Sequence, residues 1–488
     1  LNTSFNIACV IQSSWSRSLE DLIFVDNSIS LSRSEFLFKT SLAREVLKLH
    51  IGPKDKVLIS GGRGIKFFIE LFAVWSLGAT AVPIAADATE DYIDFVSKTV
   101  SPKAYCGDLF LNGLVIDYDK EPEPQTDVSF EYYPVNADDD CAILFTSGST
   151  GIPKGVLLSH QSILGNSRGI LEILNFQNER VFVNTPFHFT SAICHFIACS
   201  LSGSCFIGIE NKFLFSDLPK EISKYKITCF GGAPVQLRWI AEYLLAHEPQ
   251  DIESLSSLKS VISSGDHLSE DIIEKFKATP FQVKIFTVYG LTELGGRFCV
   301  LRPEDINRFP GSVGKPIEGL SVEIHDSDTY EPLESGERGV IIASGKFVFK
   351  EYINNREATD KSLNQYGFNT GDIGYLNDMG YLYLVGRSDD VFKVNGQKLS
   401  SLLIQQEMMK LDLFDDVAVT PHVSELYGQI PKAYCVMKKD VVFQKGHILR
   451  MLRKELPLNH LPKEFCVVSK IPRTGSGKIQ KHLLQNMV

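Results

Sequence analysis

The ten residues Thr146-Ser147-Gly148-Ser149-Thr150-Gly151-Ile152-Pro153-Lys154-Gly155 directly follow the apolar run CAILF. Small and hydroxylated residues in succession let backbone N–H groups converge on one anion, the hydroxyls add donors, and Lys154 adds positive charge. That chemistry is phosphate binding. No Walker A loop can be written through the run. Four further clusters hold polar residues among glycines: Tyr289-Gly290-Leu291-Thr292-Glu293, Gly367-Phe368-Asn369-Thr370-Gly371-Asp372, Gly386-Arg387-Ser388-Asp389-Asp390 and Pro472-Arg473-Thr474-Gly475-Ser476-Gly477-Lys478. Taken singly, each also reads as an ordinary turn, and Lys478 as a solvated lysine.

In this order and at these distances the five clusters resemble the AMP-forming adenylating superfamily, which holds acyl- and aryl-CoA synthetases, peptide-synthetase adenylation domains and beetle luciferases. Weaker similarity through 30–90 and 311–360 extends the resemblance over nearly the whole chain. It implies an ATP-dependent, Mg²⁺-requiring ligase that joins a carboxylic acid to AMP, releases pyrophosphate, and transfers the acyl group to the thiol of coenzyme A. A carboxylate is a poor electrophile, and charge accumulates on phosphoryl oxygens in the transition state. Catalysis is therefore mostly positioning and cationic stabilisation.

The resemblance also implies roles. Thr146, Ser147, Gly148, Ser149, Thr150, Gly151 and Lys154 would hold the ATP phosphates. Lys478 would bridge the carboxylate and α-phosphate oxygens, Thr292 would bond the α-phosphate, and Glu293 would carry Mg²⁺. Tyr289 and Gly290, with Gly265, Asp266 and His267, would contact adenine, while Asp372 accepts from the ribose hydroxyls and Arg387 assists. Asp389 is the expected hinge of a small domain, and Lys393 and Gly396 are expected to line the thiol tunnel.

The acyl pocket is less sharply written. Phe187 and His188 stand where amino-acid-activating relatives carry Phe-Asp. Without that carboxylate an α-ammonium would lack its counter-charge, so a fatty or aryl acid is favoured over an α-amino acid. His188 also reads as a plain core histidine. Gly231, Gly232 and Gly265 follow apolar runs and would leave room for substrate. One departure concerns the acceptor: Ser401, Leu403 and Gln405 occupy positions where relatives carry Pro, Glu and Glu. The phosphopantetheine arm of a separate acyl carrier protein is the alternative to coenzyme A, since no carrier-like segment follows Lys478. A luciferase-like oxidoreductase and a silent nucleotide-binding relative are remoter alternatives; retention of Lys478 and Glu293 counts against the silent one.

These residues need elements to position them. Apolar runs at 57–60, 79–84, 141–145, 181–185, 227–232, 260–265 and 284–290 alternate with stretches that can form helices, such as 35–49 and 64–77, which is a βα rhythm. From about 311 the strands become short and hairpin-like. The predicted fold class is α/β: two α/β sheet subdomains and a β-rich subdomain (about 311–388) form a large N-terminal domain, 1–388, followed by a small mobile α+β lid, 389–488. The active site is expected between the two.

The 488 residues carry 49 Lys+Arg against 59 Asp+Glu, a net charge of −10 without basic runs, so nucleic acid is not an expected partner. Ten cysteines without a CxxC pair predict free thiols in a reducing cytosol and no zinc site. The uncharged stretches 71–86 and 189–209 are broken by Gly, Pro, Ser and His, and are expected to be buried helix and strand, not membrane spans. The first ten residues lack the charged-then-apolar order of a secretory leader.

Overall fold

The computed structural model describes residues 5–15, 18–26, 29–62, 64–107, 131–146, 153–174, 176–209, 215–387, 391–394, 397–424, 428–458, 460–473 and 479–484. The predicted βα rhythm is present. The helix Arg33–Leu47 starts at a capping box: Ser32 Oγ accepts from the Glu35 N–H while the Glu35 carboxylate accepts from the Ser32 N–H at 2.7 Å. The helix Glu90–Val100 starts on a simple N-cap, Thr89, whose hydroxyl accepts from the Tyr92 N–H.

Six apolar strands run parallel at the centre of a nine-stranded sheet, in the order Lys284–Leu291, Ser260–Ser264, Cys229–Gly232, Arg180–Val183, Cys205–Ile207 and Leu22–Val25. Antiparallel strands Gly296–Leu301 and Lys315–Pro316 extend one side, and Ser30–Ser32 the other. Strands covered on both faces read as continuous apolar runs, which is why all of these except Leu22–Val25 were visible in the sequence. The run CAILF behaves differently. It lies in Asp140–Thr146 of a six-stranded sheet, and the phosphate-type segment leads from it into an antiparallel strand, Lys154–Ser159, not into a helix.

The core is strongly aromatic. Phe68 of the helix Ile65–Ser76 stacks on Phe196 of the helix Thr190–Ser202, with centroids 3.9 Å apart and planes within 8°, and Phe36, Phe72 and Phe206 surround the pair. The helix Thr190–Ser202 lies within the uncharged stretch 189–209 and the end of Ile65–Ser76 opens the stretch 71–86; the two stretches continue into the strands Cys205–Ile207 and Thr80–Ala85. Among the described residues no helix is long and apolar enough to cross a membrane. All ten cysteines are free thiols.

By internal contacts the chain forms two compact units, 1–321 with 343–368, and 322–342 with 369–488. This grouping differs from a division at 388, because the strand Leu382–Arg387 packs against the helix Ser401–Met409 and so 369–387 group with the C-terminal residues. The hairpin-like strands expected after 311 are there: one sheet has the order Leu320–His325, Gly339–Gly345, Gly367–Leu376, Leu363–Asn364, with Leu382–Arg387 also paired to Gly367–Leu376. Near the C-terminus the long hairpin Phe414–Ser424 and Gly428–Met437, with the parallel strand Glu464–Val467, forms a three-stranded sheet. Ile404 and Met408 of one helix and Ile448 and Leu452 of another close a small core on Val417, Val419, Ala433 and Cys435.

Candidate functional site

The ends of the phosphate-type segment face each other, since Thr146 pairs with Lys154 across the hairpin. Residues 147–152, and with them Ser147, Gly148, Ser149, Thr150 and Gly151, lie outside the described residues. The strand Lys154–Ser159 has a second neighbour, Glu351–Tyr352, with Tyr352 opposite Val156. This pairing brings the Tyr352 ring beneath Lys154, whose Nζ lies 4.9 Å from the ring centroid. The hydroxyl of the same tyrosine donates to Glu293 Oε1 at 2.8 Å. The backbone repeats the connection: the Phe349 N–H donates to the Glu293 carbonyl at 2.7 Å.

Thr292 and Glu293 occupy a single 3-10 turn, Thr292–Leu294, between two antiparallel strands. Gly295 ends that turn at φ +72°, where a side chain would also strike the Ser162 carbonyl at 2.6 Å. Asn166, on the neighbouring helix His160–Leu174, clamps the chain on either side of the glycine pair Gly295-Gly296. Its Nδ2 donates to the carbonyls of Leu294 and Arg297 at 3.1 and 2.7 Å, and its Oδ1 accepts from the Arg297 N–H at 3.1 Å. Tyr289 and Gly290 end the preceding strand, with the Tyr289 ring 5.7 Å from that of Phe298. Gly265 follows the strand Ser260–Ser264, and Asp266 Oδ1 accepts from the His267 N–H at 2.8 Å.

This arrangement suits Mg²⁺ and a nucleoside triphosphate. Magnesium is usually held by one or two carboxylates together with substrate phosphates and water. Glu293 is partly exposed, one of its oxygens is fixed by Tyr352, and Oε2 has no hydrogen-bond partner among the described residues. Tyr352 was not singled out in the sequence. The signal available for it was the family-like stretch through 311–360.

The acyl-side residues separate. The Phe187 ring is 2% exposed and packs in the aromatic core beside Phe24, Phe67, Phe68 and Phe206. The ring therefore contributes to that aromatic core. His188 is less buried, and its Nδ1 is enclosed without a hydrogen-bond partner among the described residues. Burial pushes its imidazole down to about 4, against a smaller opposite pull from Asp87. A neutral imidazole offers no counter-charge to an α-ammonium. Gly231 lies against Val183, and Gly232 against Gln236 and Phe230.

In the second unit, Asp372 and Arg387 are cross-strand partners, and Arg387 Nη1 donates to Asp372 Oδ1 at 3.1 Å. Asp372 is 8% exposed, and its N–H donates to Thr370 Oγ1, whose hydroxyl in turn donates to the Ile341 carbonyl. An ionised carboxylate fixed by a guanidinium is a good acceptor for hydroxyls. Asp389, Gly396 and Lys478 lie outside the described residues, and Lys393 falls in the strand Val391–Val394 opposite Lys398. The stem of the Lys478 segment is defined: Arg473 bridges to Ile479, the Gln480 N–H donates to the Pro472 carbonyl at 2.9 Å, and Arg473 Nη2 grips both oxygens of Asp416 at 2.9 and 3.0 Å. Ser401 opens the helix Ser401–Met409, the first-turn position that suits the proline of relatives.

The fold and these sites define an adenylate-forming architecture. The chain belongs to the AMP-binding enzyme family: that family's pattern matches residues 14–353, and the pattern of the AMP-binding enzyme C-terminal domain matches 404–478. Among curated proteins it is 26% identical to 4-coumarate–CoA ligase-like 9 of Arabidopsis thaliana, over 96% of this chain and 87% of that one. The solved structure of ATP-bound MatB from Rhodopseudomonas palustris shares its fold, with a TM-score of 0.88, 21% identity and 99% of both chains covered. The o-succinylbenzoate coenzyme A synthetase of Bacillus subtilis, solved with ATP and magnesium ion, gives a TM-score of 0.84 at 21% identity, covering 97% of this chain and 98% of that one.

Proposed function

We propose that this protein is an AMP-forming acid–thiol ligase that activates a carboxylic acid with ATP, releases pyrophosphate, and passes the acyl group to the thiol of coenzyme A. One observation carries the reading beyond family membership: Tyr352 joins Lys154 of the phosphate-type hairpin to the Glu293 carboxylate. A cation for phosphate and a carboxylate for a metal ion are thereby held by one side chain.

Mg²⁺, when bound, would neutralise the pyrophosphate leaving group. Thr146, Lys154 and residues 147–151 receive the β- and γ-phosphates, Thr292 bonds the α-phosphate, and Glu293 holds the metal. Tyr289, Gly290, Gly265, Asp266 and His267 form the adenine side, and Asp372 with Arg387 takes the ribose hydroxyls. Lys478 stabilises the charge that grows as the carboxylate oxygen attacks the α-phosphorus and the pyrophosphate bond breaks. The small domain, 389–488, turns about Asp389 to exchange Lys478 for the thiol-tunnel residues Lys393 and Gly396.

His188 lies at the acyl gate, and the absence of a carboxylate there favours an acid without an α-ammonium. The replacement of the usual Pro, Glu and Glu by Ser401, Leu403 and Gln405 supports a second reading of the acceptor, the phosphopantetheine arm of a separate carrier protein. Ten free thiols support a reducing, cytosolic location.

ATP–pyrophosphate exchange across fatty, aryl, β-amino and α-amino acids, followed by a coenzyme A thioester assay, tests the proposal. Exchange with a non-α-amino acid and a coenzyme A product are expected. Exchange without that product would favour the carrier protein, and no exchange with any acid would overturn the ligase reading.

A further inference from the structure

Arg297, four residues after Glu293, is only 4% exposed. Nη2 of Arg297 reaches the His195 ring, 2.8 Å from Nε2 and 3.0 Å from Nδ1. His195 Nδ1 lies 2.7 Å from the Ser191 carbonyl, so the proton belongs on that nitrogen and Nε2 accepts from Arg297. Burial, reinforced by the guanidinium, keeps this imidazole neutral. The thiols Cys194 and Cys229 nearby are kept protonated by burial. Among the described residues Nε of Arg297 has no hydrogen-bond partner, and no carboxylate pairs with the guanidinium.

A buried cation whose only side-chain partner among the described residues is neutral needs an anion. Burial lowers the guanidinium only to about 10, so it remains charged at neutral pH. Its setting points to where that anion comes from. His195 belongs to the helix Thr190–Ser202, which starts just after His188, and a side chain added at Gly296 would come within 3.7 Å of Thr190 Cβ. Arg297 thus lies on the strand that follows the metal carboxylate, and its guanidinium reaches the helix that follows the acyl gate.

We propose that Arg297 is a specificity-determining residue and that the acid substrate carries a second carboxylate, remote from the one activated, which pairs with this guanidinium. The inference rests on the ligase reading and narrows its acid from fatty or aryl to dicarboxylic. An acid ending in methyl or phenyl would leave the guanidinium buried without a counter-charge, whereas a distal carboxylate supplies the charge and an acceptor for Nε.

The test compares matched acids, butyrate with succinate, hexanoate with adipate and benzoate with phthalate, by ATP–pyrophosphate exchange in wild type, Arg297→Gln and Arg297→Lys. At least one dicarboxylic acid should exceed its partner in kcat/KM by about 100-fold. Arg297→Gln should collapse that ratio mainly through KM, with partial recovery in Arg297→Lys. Equal or better use of the monocarboxylic partners by wild type would overturn the proposal while leaving the ligase reading in place, and needs no folded variant. Retention of the ratio in Arg297→Gln would overturn it as well. If no acid supports exchange, the ligase reading fails, and thermal unfolding with the same acids decides on Arg297: a Tm raised by diacids alone in wild type but not in Arg297→Gln supports the proposal, and no such rise overturns it.

Discussion

The Tyr352 hydroxyl donates to Glu293 Oε1 at 2.8 Å, and the same ring carries Lys154 Nζ 4.9 Å from its centre. Removing only the hydroxyl, in Tyr352→Phe, frees the Glu293 carboxylate to rotate while keeping the face for Lys154. Groups that orient a metal ligand typically contribute about 10- to 100-fold in affinity. The Mg²⁺ concentration for half-maximal pyrophosphate exchange should rise by about tenfold in Tyr352→Phe. An unchanged Mg²⁺ dependence would show that Glu293 needs no such support.

Lys478→Ala separates the two half-reactions. Loss of the cation at the reacting phosphate should lower acyl-adenylate formation by about 100-fold or more. Thioester formation from preformed acyl-adenylate should stay within a few-fold of wild type. If exchange survives within about tenfold, Lys478 does not have this role.

Asp372 can be tested through the sugar it is expected to hold. Wild type should use 2′-deoxyATP with a kcat/KM about tenfold below that of ATP, because one hydroxyl donor is missing. Asp372→Asn should raise KM for ATP and narrow the difference between the two nucleotides. A constant ratio in the variant would remove Asp372 from ribose recognition.

Acid stability should report His160. It is fully buried beside Trp75, neither ring nitrogen has a hydrogen-bond partner among the described residues, and burial pushes it down to about 4 despite Asp139. An unfolded histidine binds its proton near 6.5, so between roughly 6.5 and 4 the unfolded chain holds more protons and stability falls as the pH drops. The contribution is present above 6.5 and amounts to about 3 kcal/mol at most. Urea midpoints should fall from pH 7 to 4.5, and His160→Leu should flatten the decline. An equally steep decline in that variant would assign the acid lability elsewhere.

Sequence reading reached the parts of this protein that are local. The runs VFV, CFGG and KIFTVYG are strands because a strand covered on both faces must be apolar along its length, and glycines at their ends mark the turns. The partnerships were not legible. Tyr352 meets Glu293 across 59 positions, and Arg297 meets His195 across 102, so no periodicity or local spacing joins them. Phe187 and His188 show another limit: neighbouring side chains in one motif went to different surroundings, the first into the aromatic core and the second to a less buried place.

Asn166 has a consequence for redesign. Its one amide grips the Leu294 carbonyl and both backbone groups of Arg297, immediately after the Glu293 turn. The residue proposed to hold the metal and the residue we assign to acid choice are therefore carried on a single short piece of chain. Directed evolution toward new acids at position 297 will also shift how the enzyme handles ATP, and compensating changes should accumulate around Asn166 more than in the pocket itself.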